Sequence, residues 1–289
     1  MKKILITGAN SYIGNSFKEW LKQFPNDYLV ESISVRDDSW KEKCFMGYDA
    51  VLHLAAIVHV KQKAVDKYFE VNRDLSVKIA EKAKSEGVKQ FIFLSTMAVY
   101  GCETGYITSK TPPIPKTPYA KSKYEAEKLL LDIEDDDFKI AILRPPIVYG
   151  KGCKGNYPRL SILVNKLPIF PDVESMRSML FINNLSEFLR IVVDNRLNGI
   201  LFPQNRDYVN ITELARLINL AHGKNIQVTK LFNWSIAIGL RFSKTFQKIF
   251  GNLIYDKSLS GGPESMVNGI PMNYETTSFE GSIMLTEAS

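Results

Sequence analysis

Short apolar runs and amphipathic stretches alternate along the first 150 residues. Residues 4–7 form a brief apolar run that predicts a buried strand, and residues 11–24 an amphipathic helix that stops before Pro25. Residues 29–35 and 50–56 read as further strands, the latter entering from the turn Gly47-Tyr48-Asp49. Over 65–86, Val71, Leu75, Ile79 and Ala83 share one stripe and Gly87 supplies a stop, which predicts a long helix. Residues 90–95 make another apolar strand. A proline-rich loop over 101–118 follows, then a helix over 119–133 and a strand over 139–143. Strand and helix alternating at this spacing predict an α/β fold with a doubly wound parallel sheet.

Beyond Gly150 the pattern loosens. Residues 151–180 are loop-rich, with Pro158, Pro168 and Pro171. A helix over 185–195 and a short strand over 200–202 are expected to return to the sheet. Thr212 is read as the N-cap of a helix running to Ala221. The division expected is a dinucleotide-binding domain over 1–150, with 185–205 returning to it, and a smaller substrate domain over 151–184 and 206–289. The stretch 231–254 is aromatic and basic. It reads either as a helix closing over a substrate cleft or as an amphipathic helix lying on a membrane.

Composition is that of a soluble globular protein, at 45% hydrophobic and 24% charged residues. The 37 Lys and Arg against 31 Asp and Glu give a net charge of +6. That excess is read as spread along the chain, a mild attraction for anionic small molecules or membrane surfaces. Neither a basic stripe nor an aromatic-basic module argues for nucleic acid. Cys44, Cys102 and Cys153 lack paired spacing, so no disulfide framework or metal site is expected, and a reducing cytoplasmic location fits. The apolar run at the N-terminus breaks at Gly8, too soon for a signal segment, and no stretch is long enough for a transmembrane helix.

Two places carry chemistry. Thr7-Gly8-Ala9-Asn10-Ser11-Tyr12-Ile13-Gly14 joins a strand to a helix, where backbone N–H groups and the helix N-terminus can approach a pyrophosphate. Tyr119 and Lys123 lie one turn apart on a helix, so an ammonium beside the phenol would lower its pKa toward use as a base. Ser95-Thr96 ends a strand, where such sheets place catalytic groups.

These segments, with Asp49 through Leu54-Ala55-Ala56, Val99-Tyr100-Gly101 and Arg144-Pro145 through Val148-Tyr149-Gly150, resemble the extended short-chain dehydrogenase/reductase family. The likeness covers about residues 3–220 and runs toward its nucleotide-sugar 4-epimerases and 4-ketoreductases. It implies NAD(P)(H) bound at Gly8, Asn10, Ser11, Tyr12, Ile13, Gly14, Arg36, Leu54, Ala55, Ala56, Asn72, Ser95, Tyr119, Lys123 and Pro146. It makes Tyr119 the base at the sugar 4-hydroxyl, Lys123 the ribose anchor and Thr96 a hydrogen-bond partner of the same oxygen. Asn156 and Arg177 would hold the nucleotide diphosphate, and Asn72 would support the active-site loop.

Three departures qualify the likeness. Ser11 replaces the middle glycine of the turn. Arg36, beside Asp37, suits a 2′-phosphate and tips the cofactor toward NADP(H). Met97-Ala98 stand where dehydratases of this family carry Asp-Glu, so water loss is not expected. The activity implied is a UDP-sugar 4-epimerase, with a 4-ketoreductase or a non-catalytic NADP(H)-binding sensor as rivals. His59 and Lys61 fall in a loop expected to face the cofactor. A homodimer is expected through the helices over 65–86 and 119–133, the second offering Ala126, Leu129, Leu130 and Ile133.

Overall fold

In each central strand, successive side chains point to opposite faces and both faces are apolar, so both must be covered. Ile4 and Ile6 of β1 (Lys2–Thr7), Leu52 of β3 (Ala50–His53), Ile92 of β4 (Gln90–Leu94) and Leu143 of β5 (Lys139–Leu143) face one core. Leu5, Val51, Phe91 and Phe93, and Ile140 and Ile142 face the other. Helices α1 (Tyr12–Leu21) and α5 (Ile182–Asp194) seal the first face. Helices α2 (66–85) and α3 (Pro118–Leu131) seal the second. With β2 (Tyr28–Ile33) and β6 (Gly199–Leu201), the strands form one parallel sheet in the order β6-β5-β4-β3-β1-β2, as the alternation of elements predicts. The computed structural model describes residues 1–58, 65–231 and 233–288, so His59 and Lys61 lie outside the described residues.

The chain runs outward from β1 to β2 and then crosses back to β3. That reversal opens a crevice at the carboxyl ends of β1 and β3, where sheets of this class bind ligands. β6 returns to the sheet beside β5, as expected, while α5 begins earlier than expected, directly after the strand Met179–Phe181.

The long helix expected over 65–86 is interrupted. α2 comprises Asp66–Phe69, a π turn over Glu70–Asp74, and Leu75–Ser85. The wider turn rotates the helix face, so Asn72 and Ser76 are fully buried while Val71 and Leu75 of the expected stripe are only half-buried. Thr212 is likewise not an N-cap. Asn210 caps α6 (Ile211–Ala221), its Oδ1 accepting from the Thr212 and Glu213 amides at 2.8 and 3.1 Å. The Thr212 hydroxyl instead donates to the Pro171 carbonyl at 3.0 Å. Of the apolar residues expected to serve a dimer, Ala126 and Leu130 are fully buried beneath their own sheet, and Leu129 is exposed.

α4 (Asn156–Lys166), α6 and the C-terminal helix α9 (Phe279–Glu287) pack beyond the sheet. Between α6 and α9 stand α7 (Asn233–Phe242) and α8 (Lys244–Phe250). The three cysteines are free, and among the described residues no helix is long and apolar enough to cross a membrane.

Candidate active site

The turn after β1 fits a dinucleotide by its backbone. Gly8 has φ +99°, and a Cβ there would lie 3.0 Å from the Ala55 nitrogen and 3.2 Å from the Leu54 carbonyl carbon. Leu54 and Ala55 therefore press against the turn, and only glycine lets the two strand ends close. Gly14 brings α1 onto the sheet, since a Cβ there would meet Leu54 and Ile6 at 3.1 and 3.2 Å. Ser11 is the N-cap of α1, its hydroxyl accepting from the Gly14 amide at 3.2 Å, which accounts for serine in place of glycine.

Several expected cofactor side chains point elsewhere. The Tyr12 phenol runs to Gly150, where an added Cβ would stand 2.7 Å from its oxygen, leaving only the Tyr12 backbone for a phosphate. Asn10 and Arg36 are exposed, Ile13 is half-buried and Pro146 is buried after β5. Asp37 caps a 3₁₀ turn, accepting from the Ser39 amide at 3.1 Å, so it is engaged next to Arg36. The Ser95 hydroxyl is turned inward to Glu127 and is not offered to a cofactor.

Thr96 and Tyr119, the expected catalytic residues, meet across two elements. Thr96 caps the 3₁₀ turn Met97–Tyr100, its Oγ1 accepting from the Ala98 amide at 3.1 Å. With that lone pair engaged, the hydroxyl proton of Thr96 is directed to the Tyr119 phenol, where it favours the phenolate. Burial outweighs this effect and, with Tyr68 nearby, pushes the phenol up to about 12. Lys123 does not do what its spacing suggests. Its ammonium donates to the Leu94 carbonyl at 2.8 Å and lies 4.2 Å above the Phe93 ring, and it does not depress the Tyr119 pKa here. Desolvation draws Lys123 itself down to about 7, against the pull of Glu127.

Below the pair runs a buried hydrogen-bond chain that fixes the loop and the helix together. Asn72, carried inward by the π turn, holds Ile57 by both backbone groups at 2.9 and 3.0 Å and donates to Ser122 Oγ at 3.1 Å. Ser122 in turn donates to the Tyr119 carbonyl at 2.9 Å. The expected supporting role of Asn72 thus has a geometry. His53 extends the chain, with Nδ1 2.7 Å from Thr7 Oγ1 and Nε2 2.9 Å from Ser76 Oγ. Ser76 gives its only proton to the Asn72 carbonyl at 2.9 Å, so His53 carries its proton on Nε2 and accepts at Nδ1 from Thr7.

Full burial of His53 lowers its pKa to about 3, with the Lys123 charge adding to the effect. Unfolded, the imidazole takes a proton near 6.5, so between those values the unfolded state holds the extra proton. This group's contribution to stability should fall by about 1.4 kcal/mol per pH unit as pH drops below 6.5 toward 3. Urea unfolding at several pH values checks it. His53→Gln should have the shallower slope, and parallel slopes would count against the buried neutral imidazole.

Sequence reasoning assigned no role to His53, Ser122, Glu127 or Arg144. Glu127 was signalled by position, one turn beyond Lys123 on the Tyr119 stripe, and His53 by standing in an otherwise apolar strand. Glu127 binds Arg144 through Nε at 3.1 Å and Nη2 at 2.6 Å, with both side chains buried, and Arg144 Nη1 donates to the Tyr100 hydroxyl at 2.9 Å. This pair braces the loop that carries Thr96.

Asn156 and Arg177 are brought together as expected. Both line a cavity of about 390 Å³ with Arg159, Lys248, Leu163 and Ile249. Arg177 is 8% exposed, and its Nη2 donates to the Gln247 carbonyl at 2.5 Å. Its buried Nε has no partner among the described residues, and desolvation pulls the guanidinium below its ordinary pKa. A buried cation with an unmet donor fits an anion such as a phosphate.

Known proteins similar to this chain include epimerases and reductases of sugar nucleotides. The chain is 29% identical over 280 residues to a UDP-glucose 4-epimerase of Vibrio cholerae, covering 86% of this chain and 83% of the relative. It is 26% identical over 213 residues to an N-acetyl-alpha-D-glucosaminyl-diphospho-ditrans,octacis-undecaprenol 4-epimerase of Escherichia coli O157:H7, covering 68% and 64%. In fold it is similar to a UDP-glucuronic acid 4-epimerase of Bacillus cereus solved with NAD (TM-score 0.72, 19% identity, 99% and 95% covered). It is similar also to a dTDP-4-dehydrorhamnose reductase of Clostridium acetobutylicum (TM-score 0.64, 22% identity, 78% and 82% covered). The model of the NAD dependent epimerase/dehydratase family matches residues 4–234, and the chain belongs to that family as an enzyme using a nicotinamide dinucleotide.

Proposed function

We propose that this enzyme is a UDP-sugar 4-epimerase. The observation that carries the reading is the Thr96–Tyr119 pair at the carboxyl edge of a nicotinamide-binding sheet, with Met97-Ala98 beside it. Tyr119 takes the proton of the sugar 4-hydroxyl and later gives it back to that same oxygen, while the inversion itself comes from return of hydride to the other face of C4. Thr96 turns its one hydroxyl proton to the same oxygen. The nicotinamide, when bound, supplies a hydride acceptor and donor at C4. Methionine and alanine cannot exchange protons, so the sugar keeps its C6 oxygen. Residues 1–150 with 185–205 serve the dinucleotide, and the remainder, through Asn156 and Arg177, holds the nucleotide diphosphate.

Incubation of the purified protein with NAD and either UDP-glucose or UDP-galactose, followed by proton NMR, tests this. Interconversion without net NADH is expected. Consumption of NADPH with a UDP-4-keto sugar, and no interconversion, would make it a 4-ketoreductase instead.

Exposed Arg36 is the observation that favours the second reading, because reduction commonly draws on NADPH. If Arg36 holds a 2′-phosphate, NADP(H) should bind more tightly than NAD(H), and Arg36→Ala should lose about 1–2 kcal/mol of that preference. Calorimetric titration of both cofactors measures it, and equal affinities in the parent would remove Arg36 from the site. The assembly proposed is a two-fold homodimer through α2 and α3. Light scattering should give about twice 32.8 kDa, and a monomer mass would refute the dimer alone.

A further inference from the structure

The charge of +6 is not spread along the chain, as the sequence reading had it. Residues 214–255 contain Arg216, Lys224, Lys230, Arg241, Lys244 and Lys248 and not one Asp or Glu, while the other 31 Lys and Arg match the 31 Asp and Glu. The whole excess therefore belongs to one segment, which runs from within α6 through α7 and α8. Arg216 is paired with Glu213 at 3.4 Å and Lys248 with Glu103 at 3.6 Å, and Lys230, Arg241 and Lys244 lie at α7 and its ends.

α7 wears its apolar side outward. Trp234, Ile238 and Phe242 recur every four residues on one face and are 70%, 53% and 79% exposed, with Leu231 just ahead of the helix at 76%. Exposed Lys230, Arg241 and Lys244 border them. The opposite side is firmly seated. Ile236 is 5% exposed, and a Cβ on Gly239 would fall 2.4 Å from the Phe246 ring, so α7 lies directly on α8. Phe246 packs on Phe250 and Phe250 on Phe170, at ring separations of 5.8 and 6.2 Å. α8 meanwhile supplies Thr245, Lys248 and Ile249 to the wall of the Asn156–Arg177 cavity. α8 thus lines the cavity, and α7 is left with an open face.

We propose that α7 docks on an anionic lipid bilayer, with Leu231, Trp234, Ile238 and Phe242 among the headgroups and Lys230, Arg241 and Lys244 against lipid phosphates. Four large apolar side chains gathered on one exposed face mark an interaction site rather than ordinary surface. Charge complementarity names the partner, because a segment of cations without a single anion opposes a continuous negative surface. Aromatic and aliphatic side chains flanked by Lys and Arg are the composition of helices that lie in the interfacial layer. Each basic residue near such a surface adds about 1 kcal/mol. Ten residues reach only about 15 Å, so α7 lies on the bilayer and does not cross it. Docking would set the cavity beside the membrane. The inference does not depend on which sugar the enzyme turns over.

Flotation of the intact protein with vesicles of phosphatidylcholine, with and without phosphatidylglycerol, tests it. At low salt the protein should float with the phosphatidylglycerol vesicles only, and high salt should release it. Its tryptophan emission should shift to the blue on binding, since Trp40 is already buried and Trp234 is the strongly exposed ring. The double variants Trp234→Ser/Phe242→Ser and Arg241→Glu/Lys244→Glu should each lose more than tenfold in binding, with unchanged melting temperature and unchanged turnover of a soluble UDP-sugar. Failure of the parent to float, or a Trp234→Ser/Phe242→Ser variant that floats like the parent, would overturn the proposal. So would a halved light-scattering mass in that variant, which would mean that a second copy of the chain covers this face.

Discussion

Tyr119→Phe should fold and bind cofactor like the parent while losing turnover by a factor on the order of 10²–10⁴, the range of general acid–base catalysis by one side chain. The substitution removes one oxygen from a half-buried ring whose edge-on contact with Tyr68, 6.4 Å between centroids, depends on the ring alone. What disappears is the atom to which the Thr96 proton is directed. KM should change little and kcat should carry the loss, because the missing interaction belongs to the transition state. Steady-state kinetics on the interconverted UDP-sugar read both. A variant with near-parental kcat would mean that another group moves the proton. The parent's phenol stands at about 12 while Lys123 rests on the Leu94 carbonyl. Activity near neutral pH therefore requires the site to lower that value when it fills.

The second large effect is structural. Glu127→Ala would strand the Arg144 guanidinium, which is 4% exposed and makes its paired contacts to that carboxylate. Removing one member of a buried ion pair costs about 3–5 kcal/mol, because the remaining charge cannot recover its water. That is a large part of the 5–15 kcal/mol that holds a typical domain together. The melting temperature should fall on the order of 10 °C. Ser95 would lose its hydrogen-bond acceptor and Tyr100 the fixed guanidinium that donates to it, loosening the turn that presents Thr96. Replacing both partners, as in Glu127→Leu/Arg144→Met, should recover much of the stability because no orphan charge remains. Urea unfolding of the three proteins decides it. A single variant as stable as the parent would show that the pair contributes little.

The sequence by itself determined the alternation of strands and helices over the first 150 residues and the family. Each rests on short-range pattern: alternating apolar faces in the strands, Gly8 at a strand end, and Tyr119 with Lys123 one turn apart. The family likeness, not pattern, singled out Asn156 and Arg177, and the fold brings them into one cavity. What pattern cannot carry is the direction a side chain takes once several elements compete for it. The π turn that drives Asn72 and Ser76 inward follows from their bonds to Ile57, Ser122 and His53, residues far apart in the chain. Lys123 turns to the backbone carbonyl of Leu94 at the end of β4. Tyr12 leaves the cofactor side for Gly150, and Ser95 leaves it for Glu127. Asn210 displaces Thr212 as cap because the Thr212 hydroxyl is drawn to Pro171. Except at Tyr12, whose buried hydroxyl has no hydrogen-bond partner among the described residues, a buried polar group must find a partner, and only the assembled fold decides which one stands within reach.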